Sequence, residues 1–116
     1  MLTEEETLER AKYCYCVLLQ LGTLQESGPV DPSRYLERLE NSSLGLAGDE
    51  FVAVSLREAV MAGRPDGGLE SLIAFYEGLI HALCTVLQTD LDEVQKAIPE
   101  EFLEMLVSEV SVGRTQ

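Results

Sequence analysis

Apolar residues recur at three- and four-residue steps through most of this chain, a helical period, and the runs are separated by glycine and proline. The first run predicts a helix from about Thr3 to Gln25. Leu8, Ala11, Tyr15, Leu18 and Gly22 form its seam, widened by Cys14, Val17 and Leu21. Thr3 and Glu6 make an S/T-x-x-E capping box, and three glutamates sit where the helix dipole favours negative charge. Tyr13 to Val17 has strand propensity, but the helical period continues on both sides of it. Ser27-Gly28-Pro29 ends the helix.

Five further helices follow from the same reasoning. Asp31-Pro32 opens a short one, with Asp as cap and Pro in the first turn; Tyr35, Leu36 and Leu39 are its apolar side, and it stops near Asn41. Ser42 to Gly48 reads as a loop. Asp49 caps the next helix, whose face is Val52, Leu56, Ala59 and Val60, and Gly63 stops it. From Leu69 to Gln88 the pattern is clearest: Leu69, Ile73, Tyr76, Ile80, Leu83 and Leu87 alternate steps of four and three, broadened by Leu72, Leu79 and Cys84. Ala74, Gly78 and Ala82 make a flank of small residues. A glycine inside a helix costs about 1 kcal/mol relative to alanine, and close approach of another helix is the expected compensation. Thr89 and Asp92 form a second capping box before Leu91, Val94 and Ala97. Pro99 breaks that short helix and starts the last one, faced by Phe102, Leu103, Leu106, Val107 and Val110. Val112 to Gln116 is expected to fray.

The expected fold is therefore all-α: a compact bundle of five or six helices in a single domain, 1–116. The two long helices form the central pair, with the shorter ones packed around them. Leu18, Ile73, Tyr76, Ile80, Leu83, Phe102 and Leu106 are the expected core.

The 116 residues carry 21 acids against 8 lysines and arginines, a net charge of −13. That sign opposes binding to a phosphate backbone, so no direct nucleic acid contact is expected. Twelve of the acids fall at or near expected helix starts, where they have a local reason to be. The distribution of all the charges is uneven: from Pro65 to Gly113 ten acids accompany one base, Lys96. A one-signed field of this kind attracts a basic surface.

The candidate chemistry is sparse. Cys14, Cys16 and Cys84 are odd in number and lack C-x2-C spacing, so they read as buried free thiols. His81 is the one histidine, which leaves little for nucleophilic or metal chemistry. Neither a G-x-S-x-G elbow, a P-loop, G-x-G-x-x-G nor H-E-x-x-H is present. Glu77 and His81, one turn apart, are the best local constellation, with Glu70 on the same polar side. Two ligands without a third hold a metal weakly. All-helical nucleotide pyrophosphohydrolases use an E-E-x-x-E run followed by E-x-x-D; Glu4-Glu5-Glu6 does not continue into that spacing, and Glu70-Ser71-Leu72-Ile73 lacks the second half.

These observations point to a protein-interaction module, an adaptor, accessory or inhibitor without catalytic activity, cofactor or metal. Glu70, Glu77, His81, Glu100, Glu101 and Glu104 are the candidate partner-binding residues, and the partner is another protein with a basic surface. Two alternatives are a carboxylate-based metal hydrolase assembled across a dimer interface and an inhibitor that mimics nucleic acid. A homodimer through the first or fourth helix is expected, as is a cytoplasmic location without membrane contact: the longest unbroken apolar run, Tyr13 to Leu19, is short of the ~20 residues a span needs.

Overall fold

The computed structural model describes residues 2–26 and 32–111, and every regular element within them is helical. In chain order these are α1 (Glu4–Glu26), α2 (Pro32–Glu40), a 3-10 turn (Leu46–Gly48), α3 (Glu50–Ala62), α4 (Leu69–Leu87), α5 (Leu91–Lys96) and α6 (Glu100–Val110). The Asp31 cap, the Ser27-Gly28-Pro29 stop and the Val112–Gln116 tail lie outside the described residues.

α1 starts on the expected capping box. The Thr3 amide donates to Glu6 Oε1 at 2.9 Å, and the Glu6 amide donates to Thr3 Oγ1 at 3.0 Å. The bond from the Thr3 amide, helped by the hydroxyl, holds the Glu6 carboxyl below its ordinary value. Tyr13 to Leu19 is helix throughout. Its buried line is one position away from the expected seam: Ala11, Cys14, Val17, Leu21 and Leu24 are enclosed, while Tyr15, Leu18 and Gly22 are half-buried. Cys16 and Gln20 are buried as well, because α1 packs against α6 in addition to α4.

Two turns decide how α3, α4 and α5 meet. Asp49 caps α3 by accepting from the Phe51 amide at 2.9 Å. Gly68, at φ +80°, opens α4 so close to α3 that a Cβ there would lie 2.7 Å from the Ala59 Cβ, so only glycine fits this corner. At the other end of α4, Gln88 takes the left-handed position and the Thr89 amide closes onto the Cys84 carbonyl at 3.0 Å. Thr89 is thus occupied in ending α4. The cap of α5 falls one residue later than expected, on Asp90, which accepts from the Glu93 amide at 3.0 Å.

α1 and α4 form the largest helix–helix contact and run antiparallel, since Leu8 lies beside Leu87 and Gln25 near Ile73. The core fills the space between them with Cys14, Val17, Leu21 and Leu24 against Leu69, Leu72, Tyr76, Ile80 and Cys84, and continues to Tyr35, Leu39, Leu46, Val52 and Leu56. A smaller cluster, Cys16, Ile98 and Leu106, joins α1 to α6. Tyr76, Ile80 and Leu106 are buried as expected; Leu18, Ile73 and Leu83 are only half-buried. Phe102 and Val60 are exposed. Both sit one position off their helix's inward line, which is Leu103, Leu106 and Val110 in α6 and Val52, Leu56 and Ala59 in α3. All three cysteines are free and buried.

Polar contacts latch α6 in place. Gln20 Nε2 donates to the Leu106 carbonyl at 3.1 Å, Glu109 accepts from the Ser43 amide at 2.9 Å and from its hydroxyl, and Arg38 donates to the Ser111 carbonyl at 3.1 Å.

Candidate functional site

The outer side of α1 is where the candidate residues gather. Tyr15, Leu18, Leu19 and Gly22 form a half-buried stripe, with Tyr15 and Leu18 packed against the edge of the core. On one side it borders a groove of about 730 Å³ against α4 and the start of α5. On the other it borders a groove of about 780 Å³ against α5 and α6. Tyr15 and Leu19 line both, so the two grooves adjoin along α1 as a two-part trough.

The helical periods explain this shape. Ile73, Ile80 and Cys84 descend from the core edge of α4 into the first groove, with Glu77 and His81 on the rim above them. Leu103 and Val107 do the same from α6, below Glu100 and Glu104. Gly22 leaves its part of the floor open, with nothing within 4 Å of the place a Cβ would take. The lining of the trough carries the carboxylates Glu77, Asp90, Glu100 and Glu104 against a single fixed base, Lys96.

Four of the six candidate residues, Glu77, His81, Glu100 and Glu104, therefore share one trough. Glu70 and Glu101 are exposed but do not line it. No hydrogen bond or ion pair links Glu77 to His81, and among the described residues no three His, Cys, Asp or Glu side chains converge on a point where a metal ion could sit. Burial, reinforced by Asp90, pushes the Cys84 thiol up, which keeps it protonated and poorly nucleophilic. Burial followed by Asp92 does the same to the Tyr15 phenol.

The floor residues are what sequence reasoning missed. The expected seam turns Tyr15, Leu18 and Gly22 inward and omits Leu19, because α1 has more apolar positions than one contact face requires. The width of that pattern, with a glycine inside it, is the signal that could have marked an open groove.

The Ala74–Gly78–Ala82 flank is likewise not packed against another helix of this chain: all three residues are exposed, and nothing lies within 4 Å of a Cβ at Gly78. Among the described residues α4 is the one helix long and apolar enough to cross a membrane by length and composition, a feature that Glu70 and Glu77 conceal from a search for unbroken apolar runs. It packs along α1 through Leu69, Leu72, Tyr76, Ile80 and Cys84, as the core helix of the bundle. No family model, curated protein or solved structure matches the chain.

Proposed function

We propose that this chain is a protein-binding module whose trough takes an amphipathic helix carrying basic residues. The observation that supports this most strongly is the composition of the trough, an apolar floor with carboxylates on both banks and one lysine. From Ile73 to Thr85 the α4 bank is about 18 Å long at the helical rise, enough for three turns of a guest helix. Such a guest lays its apolar stripe between α1 and its neighbours in the helix-in-groove mode, and its lysines and arginines meet the carboxylates. Charge then sets the rate and choice of partner, and apolar contact holds it. A cytosolic setting suits this reading, because the three buried thiols are free.

The test uses two synthetic helical peptides with the same leucine stripe, one flanked by lysine and arginine and the other by glutamate, titrated calorimetrically into the full chain at low and high salt. Saturable binding of the basic peptide alone, weakened by salt, is expected. Gly22→Leu, which fills the floor without a clash, should weaken it about tenfold or more. Equal binding of both peptides, or binding of neither, would overturn the proposal.

A further inference from the structure

The opposite flank of α4 carries a second uncovered surface. Phe75, Leu79, Ala82 and Val86 follow one another at steps of four, three and four, so they lie on one stripe. Phe75 is 48% exposed, Leu79 38% and Val86 71%. α3 extends the stripe sideways through Phe51, 44% exposed, whose ring centroid is 4.5 Å from that of Phe75. None of these residues lines the trough. Gly78 runs alongside, exposed, and among the described residues nothing lies within 4 Å of the place a Cβ would take, so close packing does not offset its helix-interior cost there.

We infer that this face is the contact between two copies of the chain, with α4 packed antiparallel on α4 of the partner subunit. A two-fold interface must be complementary to itself, and this stripe is. Reversed on itself it sets Phe75 against Val86 of the partner subunit and Leu79 against Ala82 of the partner subunit, a large residue facing a smaller one at each step. No charged side chain interrupts the stripe, so the strongly negative chains meet where neither presents charge. Gly78, next to the axis, lets the two backbones approach.

The area is that of a weak interface. Taking roughly 200 Å² for a whole aromatic ring and somewhat less for an aliphatic side chain, the exposed fractions of Phe51, Phe75, Leu79 and Val86 give roughly 360 Å² per copy, to which the exposed Ala82 and Gly78 add a little. The total, about 800 Å², lies just under the ~1,000 Å² at which stable interfaces begin, so a weak dimer dissociating at about 100 μM is expected. A membrane surface is a poorer occupant, because interfacial helices carry lysine and arginine beside the apolar face and α4 carries Glu70 and Glu77.

Sedimentation equilibrium of the full chain from about 10 μM to about 1 mM tests this. The wild type should approach twice the chain mass. Leu79→Glu, which places like charges close to the axis, and Val86→Glu, which sets a charge against Phe75 of the partner subunit, are both at exposed positions that the fold tolerates; each should weaken association about 100-fold while the helical circular dichroism stays unchanged. Glu77→Gln, on the other flank, should leave the mass unaltered. A wild type that stays monomeric at every concentration, or a dimer indifferent to both glutamate substitutions, would overturn the inference. The trough lies on the other side of the helix, so peptide binding and self-association fail independently.

Discussion

The two flanks of α4 share one helix and differ in what borders them. On the Glu77–His81 side, apolar side chains slope from the core into a groove with carboxylates above it. On the Phe75–Val86 side the surface is apolar and uncharged, and it is half-exposed because α3 lies against only part of it. Between them runs the buried line of Leu69, Leu72, Tyr76, Ile80 and Cys84. Just 28% of the most apolar 18 residues of this helix is buried. A helix this apolar and this uncovered carries more hydrophobic surface than its own fold uses, and the two proposed contacts divide that surface by the position of its charges.

The largest effect should come from the line that both flanks share. Ile80→Ala removes a buried aliphatic side chain between α1 and α4 and should cost about 2–5 kcal/mol in a urea unfolding curve. A cost near zero would mean that α4 is not anchored there and that neither flank is held in place.

Alkaline pH should come next. Burial pushes up the thiols of Cys14, Cys16 and Cys84 and the phenols of Tyr13, Tyr15 and Tyr76, with Asp49 adding to Tyr13 and Tyr76. A group whose folded value is raised favours the folded state while the pH is below its unfolded value, and that contribution is lost as pH rises through the folded one. Melting temperature should therefore hold up to about pH 8.5 and then fall, first as thiols and then as phenols ionise in the unfolded chain. A melting temperature unchanged up to about pH 11 would contradict the burial of this cluster.

Smaller effects separate the flanks. Asp90→Ala should cost about 1 kcal/mol by removing the α5 cap at the end of the trough, whereas Asp92→Ala should cost much less. Gly78→Ala, made in the monomeric Leu79→Glu background, should raise stability by roughly 0.5–1 kcal/mol, since the added methyl meets nothing. In the wild-type background the same change should weaken the dimer, and opposite signs in the two backgrounds would identify the glycine as an interface residue.

Much of the fold was legible in the sequence, for local reasons. The Thr3–Glu6 box, the Asp49 cap, the Gly63 stop and the inward turn of Leu69, Tyr76 and Ile80 in α4 each depend on residues a few positions apart. What was displaced by one residue involved competition between neighbours: the Thr89 amide belongs to the end of α4, and the first extended residue before α5, which can cap it, is Asp90. The α1 seam moved because three helices, not one, draw on its apolar positions. The trough was legible only in part. Glu77 and His81 stood out as a pair and Glu100 and Glu104 as part of an acidic run, but the floor that joins them is made by three helices meeting, and no local spacing records that meeting.

The most direct test of two distinct faces is an amide chemical-shift titration of the full chain with the basic amphipathic peptide. Saturable shifts confined to Tyr15, Leu18, Leu19, Gly22, Glu77 and the first turns of α6, with Phe75, Leu79 and Val86 unmoved, are expected. Shifts centred on Phe75 to Val86, or no saturable shift at all, would contradict the division of α4 into a guest-binding flank and a self-associating one.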